Sequence, residues 1–383
     1  MHVFVIAGEP SGDRLGGALM QGLHDLRSGI TFEGVGGPMM MAQGLDSLFP
    51  MDELSIMGLA EVLPKYRHLK RRIAQTAAAV IAARPDVLIT IDSPDFCLRV
   101  AKLVKAASDI RTVHYVAPTV WAWRPGRAVK MARVVDHVLA LFPFEPPLMQ
   151  AAGMDCDFVG HPVVAEPLAT DAEIAAFRAA YDLGDAPVLL TLPGSRRGEV
   201  SRLAPVFGKA LDIVNAQHPD LRIVVPAAAP VANLVTEQTA DWPAKPVIID
   251  PTMLDLALAQ AHKRAAFRTA SIALAASGTV SLELAAVQTP MVIAYDFNWL
   301  SRQIIQRMML TDTATLVNLV SDTRVVPECL GRDCRPNLIA QRLGEVLAAP
   351  DAQKNAMALT MKRLGQGGKA PGLRAAQAVL DRL

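Results

Sequence analysis

Short apolar runs alternate with helical patterns along most of this chain, and this alternation constrains the fold more than any other feature. Residues 3–7 and 87–91 are apolar runs of strand length, and the segments 13–26 and 96–107 that follow them carry apolar residues at helical spacing. Strands that alternate with helices favour a parallel sheet with helices on both faces. The sequence therefore predicts an α/β fold built from doubly wound sheets.

A break in this rhythm divides the chain into two similar halves. Gly160-His161-Pro162 and Pro167 interrupt the pattern, and the alternation restarts with an apolar run at residues 188–192. Two Rossmann-like domains joined in this way would face a cleft lined by the carboxyl ends of their strands, where ligands of such sheets bind. We expect domains over 1–163 and 164–345, followed by C-terminal helices over 346–383 that pack back on the N-terminal domain.

Composition narrows the class of protein. Hydrophobic residues make up 51% of the 383 residues and charged residues 20%, which suits folded cores and not a disordered chain. A formal net charge of +1 argues against a nucleic-acid partner bound through bulk positive charge. The four cysteines include no C-x-x-C pair, and the D-x-D at Asp155-Cys156-Asp157 reads as a solvated turn. We therefore predict no metal and no cofactor.

The sequence carries no recognisable membrane-crossing or export signal. The first apolar run has no basic region before it and ends at Gly8, unlike a signal peptide. No stretch approaches the ~20 apolar residues that span a bilayer. We expect a cytoplasmic protein, or one that lies on a membrane without crossing it.

The turn after the first predicted strand is a candidate ligand contact. Residues 8–13 match neither the dinucleotide fingerprint nor the phosphate loop, which argues against a dehydrogenase or an ATPase. Ser11 and Gly12 either contact a ligand or only form the turn, with Asp13 as the cap of the next helix.

Two carboxylates lie together at the end of the run 87–91. Asp92 and Asp95 flank Ser93-Pro94. One of them could cap the helix that follows, which leaves the other free to act as a general base. The pattern does not decide which carboxylate has which role.

The second half carries small residues and charges at equivalent strand ends. Arg196, in Gly194-Ser195-Arg196, presents a planar group matched to phosphate oxygens, or else forms a surface salt bridge. Ser277-Gly278-Thr279 lies between an apolar run and a helical pattern, where unpaired N–H groups favour an anion. Glu283 does not cap its own helix, so it either binds a sugar hydroxyl or is an ordinary exposed glutamate.

The segment 57–72 combines an apolar patch with a basic cluster. This combination suits an anionic membrane surface, or an acyl chain beside a phosphate. The alternative is an amphipathic helix with a solvated face. The candidate contacts are Met57, Leu59, Val62, Leu63, Lys65, Arg67, Lys70, Arg71 and Arg72.

Nine short motifs together resemble the lipid-A-disaccharide synthases, in the same order and from the first strand to about residue 330. They are AGEPSGD (7–13), GVGGPMM (34–40), IMGLAEVLP (56–64), IDSPDF (91–96), YVAPTVWAW (115–123), FPFE (142–145), VGHP (159–162), LPGSR (192–196) and ASGTVSLE (276–283).

The resemblance implies a glycosyltransferase of the GT-B type, with a homodimer in some members. It implies transfer of 2,3-diacylglucosamine from a UDP-linked diacyl sugar to a diacyl sugar 1-phosphate, without a metal, in making the lipid A of lipopolysaccharide. The protein would then act on the cytoplasmic surface of the inner membrane of a Gram-negative bacterium, bound peripherally. Two alternatives stay open, a UDP-N-acetylglucosamine 2-epimerase-like enzyme and a non-enzymatic carrier of lipid or nucleotide.

The resemblance also implies roles for residues. The acidic pair, Asp92 and Asp95, would hold the base, with Ser11 and Gly12 on the acceptor side. The UDP-sugar side would contain Gly194, Ser195, Arg196, Ser277, Gly278, Thr279, Glu283, Asn318 and Glu328.

Overall fold

The computed structural model describes residues 1–54, 59–297 and 309–383, and the side chains of all these except 59–65. The chain forms two compact units, one made of Met1–Ala165 with Leu364–Leu383 and the other of Glu166–Arg363. Each unit is built on one parallel sheet.

The first unit contains a seven-stranded sheet in the order β3-β2-β1-β4-β5-β6-β7. Its strands are β1 (His2–Ala7), β2 (Thr31–Val35), β3 (Asp46–Ser47), β4 (Val87–Ile91), β5 (Arg111–Tyr115), β6 (His137–Ala140) and β7 (Asp155–Phe158). Its helices up to the linker are α1 (Pro10–Leu26), α2 (Pro38–Met41), α3 (Leu59–Ala83), α4 (Pro94–Ala107), α5 (Gly126–Met131) and α6 (Pro146–Ala151). All five residues of β4 are buried, as expected for a strand covered on both faces.

The second unit contains a six-stranded sheet in the order β10-β9-β8-β11-β12-β13. Its strands are β8 (Val188–Leu192), β9 (Arg222–Pro226), β10 (Val247–Ile249), β11 (Ile272–Ala275), β12 (Met291–Tyr295) and β13 (Glu328–Leu330). Its helices include α7 (Asp171–Ala180), α8 (Arg197–Gln217), α9 (Ala232–Gln238), α10 (Leu256–Thr269), α11 (Val280–Ala286), α12 (Leu316–Ser321), α13 (Pro336–Ala348) and α14 (Asp351–Arg363).

Both sheets reverse their strand order at an equivalent place. In the first sheet β1 neighbours β4, with Ala7 opposite Ile91, and in the second β8 neighbours β11, with Leu192 opposite Ala275. Ligands of open parallel sheets bind outside the carboxyl ends of the strands at such a switch point. The candidate ligand positions are therefore the turns that follow β1, β4, β8 and β11.

The end of the chain returns to the first unit. Helix α15 (Pro371–Leu380) packs on α1, where an ideal Cβ on Gly372 would lie 2.5 Å from the carbonyl oxygen of Ala18. Arg382 Nε donates to Asp157 Oδ2 at 2.6 Å, and Arg374 Nη2 donates to the carbonyl oxygen of Phe158 at 2.7 Å. Glycine at 372 allows the close approach, and the two arginines hold the helix against β7.

The helices after residue 345 are shared between the units, whereas the sequence pattern assigns all of 346–383 to one C-terminal segment. Helix α14 belongs to the second unit, because the amide of Gln353 exchanges two hydrogen bonds with the backbone of Met291, at 2.9 and 3.0 Å. Arg363 Nη1 also donates to the carbonyl oxygen of Val320 at 2.6 Å. The chain returns to the first unit at Leu364.

Candidate functional site

The turns after β1 and β4 touch each other at the switch point of the first sheet. An ideal Cβ on Gly8 would lie 2.6 Å from Ser93 Oγ and 3.0 Å from Ser93 Cβ. Ser93 Oγ is buried, and no hydrogen-bond partner for it is found in the described part of the chain. The residues after the two strands are therefore packed as one surface.

Three strained residues follow the neighbouring strands β4 and β5. Asp92 and Ser93 have φ values of 50° and 42°, and Val116 has a φ of 87°. A β-branched residue in this region is an outlier, and two consecutive residues other than glycine in the left-handed region are also uncommon. Backbone strain persists where the surroundings enforce it, and this is often at functional sites. The residues after β4 and β5 are therefore a stronger candidate for a functional site than the turn after β1.

Asp92 is held at the centre of this strained edge. It is half-buried, and its N–H donates to the carbonyl oxygen of Tyr115 at 3.0 Å. Burial raises the pKa of the Asp92 carboxyl, although a hydrogen bond from the backbone of Ser93 opposes this shift. A carboxylate with a raised pKa is better suited to accept a proton near neutral pH.

Asp95 has a different environment. It is exposed in the first turn of α4, where a negative charge is favoured by the helix dipole. The N-cap position belongs to Ser93, whose side chain makes no capping hydrogen bond. Neither carboxylate therefore occupies the capping position that the sequence offered for one of them.

Ser11 and Gly12, which follow β1, differ in their exposure. Helix α1 begins at Pro10, earlier than the predicted start at Asp13, because proline is preorganised for the first helical position. Ser11 is exposed, whereas Gly12 is buried, and a Cβ on it would lie 3.3 Å from Ala7 Cβ. Gly12 thus lets α1 pack closely on the sheet.

Asp13 caps a different helix from the one expected. Its carboxylate is 3% exposed and accepts hydrogen bonds from the N–H groups of Gly37, Met39 and Met40, at 2.8, 3.0 and 3.0 Å. These groups belong to the start of α2, and Asp13 itself lies inside α1. The alternative in which Asp13 caps the helix containing 13–26 is therefore wrong, since its partners lie about two dozen residues further along the chain.

A buried glutamate near the ends of β5 and β6 was not singled out from the sequence. Glu145 is 2% exposed, and its carboxylate accepts hydrogen bonds from Phe142 N at 2.9 Å and from Trp121 Nε1 at 3.2 Å. Burial raises its pKa to about 7. Trp121 also packs edge-on against Phe144, with ring centroids 5.3 Å apart. The tryptophan is half-buried in an aromatic cluster, and the only sequence signal for Glu145 was its place in FPFE.

In the second unit, the turn after β8 is organised by Glu199. The carboxylate accepts hydrogen bonds from the N–H groups of Ser195 and Arg196, at 3.1 and 3.3 Å. Gly194 has a φ of 121°, which favours glycine, and a Cβ there would lie 2.5 Å from Glu199 Cβ. These two main-chain donors are therefore occupied, and Arg196 presents its guanidinium, which is 67% exposed.

The turn after β11 follows the strand next to β8, and part of it is exposed. Thr279 is exposed, Ser277 is half-buried, and Gly278 has a φ of 153° with no atom within 4 Å of an ideal Cβ. Helix α11 begins at Val280, as expected. Glu283, in its first turn, pairs with Lys263 of α10 at 2.5 Å, and both side chains remain partly exposed.

Asn318 and Glu328 support the segment that precedes β13. Asn318 is 1% exposed and exchanges two hydrogen bonds with the backbone of Val326, both 3.0 Å long. Glu328 Oε1 accepts from Thr313 Oγ1 at 2.5 Å and from Thr315 N at 2.7 Å. Their predicted place in a UDP-sugar site stays a prediction, and Asn318 could act there only through the segment it holds.

The basic cluster on α3 divides into exposed and paired residues. Arg67, Lys70 and Arg71 are exposed. Arg72 instead donates two hydrogen bonds to Glu53, at 2.7 and 2.8 Å, so that part of the cluster is internal to the unit. Met57 lies outside the described residues, as do the side chains of Leu59, Val62, Leu63 and Lys65.

Two further observations concern membranes and metals. Among the helices that the structure describes, none combines the length and the apolar character needed to cross a bilayer. Within residues 1–54, 59–297 and 309–383, no three His, Cys, Asp or Glu side chains group closely enough to hold a metal ion.

Known proteins resemble the chain over its whole length. A family model described as lipid-A-disaccharide synthetase matches residues 3–381. A lipid-A-disaccharide synthase of Ruegeria pomeroyi is 70% identical over 383 residues, which cover 100% of this chain and 96% of that protein. One of Rhodospirillum centenum is 46% identical over 385 residues, covering 99% and 94%.

Solved structures with the same fold are much more distant in sequence. A UDP-GlcNAc 2-epimerase from Neisseria meningitidis bound to UDP-GlcNAc aligns with a TM-score of 0.67 and 13% identity, covering 100% of this chain and 99% of that one. A glycosyltransferase from Rickettsia africae aligns with a TM-score of 0.61 and 12% identity, covering 100% and 97%. Identities this low show a common fold of two parallel-sheet α/β domains and nothing about the reaction.

Proposed function

The chain belongs to the lipid-A-disaccharide synthase family and is a glycosyltransferase of lipid A biosynthesis, and we propose that it joins UDP-2,3-diacylglucosamine to 2,3-diacylglucosamine 1-phosphate. The products are UDP and a β-1′-6-linked disaccharide 1-phosphate, with inversion at the anomeric carbon. The observation that carries this proposal is the 70% identity to a synthase over the full chain.

The first unit supplies the base in this proposal. The attacking hydroxyl of the acceptor must lose its proton as the new bond forms, so a carboxylate has to reach it. Asp92 is the better candidate, because its half-buried carboxyl has a raised pKa and its backbone is fixed by the strained turn. Asp95, exposed at the start of α4, is the alternative base.

The second unit stabilises the leaving group. The diphosphate of UDP gains negative charge as the sugar–phosphate bond breaks, and protein charge has to compensate for it. The exposed guanidinium of Arg196 offers a bidentate contact. The open turn Ser277-Gly278-Thr279 follows the adjacent strand of the same sheet. Glu283 then contacts a ribose or sugar hydroxyl, in exchange for part of its pairing with Lys263.

The acyl chains of both substrates require the enzyme to meet a membrane surface. Arg67, Lys70 and Arg71 are exposed on one helix and carry three positive charges. Such a cluster favours an anionic lipid surface by about 1 kcal/mol for each charge. We place this contact at the cytoplasmic face of the inner membrane, with the protein bound peripherally.

Product analysis with two matched variants tests the proposal. The purified enzyme is incubated with UDP-2,3-diacylglucosamine and 2,3-diacylglucosamine 1-phosphate, and the lipid products are identified by mass spectrometry. We expect Asp92→Asn to lower kcat by about 100-fold or more, as for a lost general base. Asp95→Asn, which makes the same change three positions away, should have a much smaller effect.

Other outcomes would redirect the assignment. A reversal of the two effects would make Asp95 the base, and near-normal rates in both variants would remove the base from this turn. Turnover of soluble UDP-N-acetylglucosamine without any acyl acceptor would favour the epimerase-like reaction instead. Binding of UDP or lipid without any product would favour a carrier.

A further inference from the structure

The contact between Gly8 and Ser93 constrains the turn that carries Asp92. An ideal Cβ on Gly8 would lie 2.6 Å from Ser93 Oγ and 3.0 Å from Ser93 Cβ, both closer than ordinary van der Waals contact. The next nearest atom is Leu54 Cβ, at an ordinary 3.5 Å. Among the described residues, the atoms closest to this Cβ therefore belong to Ser93.

Glycine is needed at position 8 for its small size and not for its backbone. Gly8 is not among the residues with positive φ. An alanine would therefore be acceptable to the backbone, and among the described residues the turn that contains Ser93 makes the closest contacts with its Cβ. That turn contains Asp92 and Ser93, with φ values of 50° and 42°, a conformation that asparagine or glycine adopts more readily than serine.

We propose that Gly8 and Ser93 are positioning residues for the transfer reaction, because their direct packing keeps the turn after β4 left-handed and thereby fixes the orientation of Asp92. This inference rests on the proposed role of Asp92 as the base. If position 8 had a side chain, the Ser93 hydroxyl would have to rotate away and Ser93 Cβ would have to give way by a few tenths of an ångström. Since Asp92 is bonded directly to Ser93, its carboxylate would be displaced with it.

The serine hydroxyl itself is not needed for this role. Ser93 Oγ is buried without a partner among the described residues, so its removal costs no hydrogen bond that the structure records. The important property of position 93 is how much room it takes against Gly8. A smaller residue at 93 should therefore compensate for a larger one at 8.

A series of four variants tests this steric relationship. Gly8→Ala, Ser93→Ala, Ser93→Gly and the double variant Gly8→Ala with Ser93→Gly are assayed for kcat, KM and the pH dependence of kcat/KM. We expect Gly8→Ala to lower kcat by roughly 10- to 100-fold, the size of effect that a small misplacement of a catalytic group produces, with little change in KM. Ser93→Ala keeps the Cβ that packs on Gly8 and should lower kcat less than Gly8→Ala does, whereas Ser93→Gly removes that contact and should lower kcat measurably.

The double variant is the decisive measurement. Glycine at 93 removes both atoms that would collide with a Cβ at 8 and tolerates a positive φ, so most of the lost kcat should return. In Gly8→Ala alone, the acid limb of the pH profile should move to lower pH as Asp92 leaves its half-buried position. A purely structural defect would lower the amount of folded enzyme without moving that limb.

Three results would overturn the inference. They are a normal kcat in Gly8→Ala, a double variant no better than Gly8→Ala, and a Ser93→Ala variant as impaired as Gly8→Ala, which would give the hydroxyl a direct role. Asp92→Asn is assayed in parallel. Normal turnover in that variant would refute the base assignment itself, whereas loss of turnover there without rescue in the double variant would refute only the positioning role.

Discussion

The guanidinium of Arg196 lies 3.5 Å from Glu199 Oε1, and yet the Arg196 side chain is 67% exposed. An exposed pair of this kind contributes little to folding, so Arg196→Ala should change the free energy of unfolding by less than about 0.5 kcal/mol. A lost charged hydrogen bond to the diphosphate should weaken UDP binding by roughly 10-fold or more. Titration calorimetry with UDP measures this effect. Arg197→Ala, at the next exposed position, is the matched control, and equal affinities in both variants would reject the contact.

Glu145 should make the first unit less stable as pH rises. Burial raises its folded pKa to about 7 from 4.5. The folded state therefore favours the protonated carboxyl, so its contribution is fully present below the unfolded pKa and is lost as pH rises through 7. The loss amounts to about 3 kcal/mol for a shift of this size.

Glu145→Gln removes this titration. The free energy of unfolding, measured by denaturant at pH 5 and pH 8, should fall less between the two pH values in the variant than in the parent protein. The other titrating groups contribute to this fall in both proteins, so comparing the fall in the variant with that in the parent isolates the contribution of Glu145. An identical pH dependence in variant and parent would show that the Glu145 carboxyl ionises normally in the folded state.

The exposed basic residues of α3 should bind anionic lipid. Lys70→Gln with Arg71→Gln removes two charges worth about 1 kcal/mol each near such a surface, so vesicle binding should weaken by roughly 30-fold at low salt. Sedimentation with vesicles of mixed neutral and anionic phospholipid measures it. Arg99→Gln with Lys102→Gln makes the same charge change at exposed positions of α4. Equal weakening in both double variants would indicate a general charge effect and no docking face.

Two glycine-to-alanine changes should shift stability in opposite directions. A Cβ on Gly372 would collide with the backbone of Ala18, so Gly372→Ala should destabilise the first unit by about 1–3 kcal/mol. Gly344 lies in α13 with no atom within 4 Å of an ideal Cβ, and Gly344→Ala should stabilise the helix by about 0.5–1 kcal/mol. Denaturant midpoints measure both. If Gly372→Ala leaves the free energy of unfolding unchanged, α15 packs on α1 without the close approach to Ala18.

The strands at the two switch points were predictable because each is covered on both faces. Such strands read as continuous apolar runs, and the predicted run 87–91 coincides with β4. Strand ends were harder to place, since the largely apolar segment 134–141 extends beyond β6, which spans only His137–Ala140 and is buried along its whole length. Helix α3 continues from the basic cluster to Ala83, and that cluster obscures the single helix from Leu59 to Ala83 in the sequence pattern.

The sequence predicts where the turns of the candidate site lie along the chain, but not which hydrogen bonds organise them. Small and polar residues after apolar runs marked the turns at Asp92, Arg196 and Thr279. The partners that organise them are invisible in a sequence, because Asp13 contacts residues that lie beyond an intervening strand, and Glu199 occupies main-chain donors that looked available. The sequence also does not predict the left-handed turn at Asp92, since neither Asp92 nor Ser93 is a glycine.

The division of the first unit into Met1–Ala165 and Leu364–Leu383 has a consequence for biosynthesis. The second unit is an uninterrupted stretch of chain, so all of its residues have been synthesised before Leu364–Leu383 follow. The first unit cannot be completed until Leu364–Leu383 have been synthesised, and α1 lacks the partner that packs on it until α15 emerges. A stop codon after Arg363 would thus leave the second unit whole and the unit that bears Asp92 without α15.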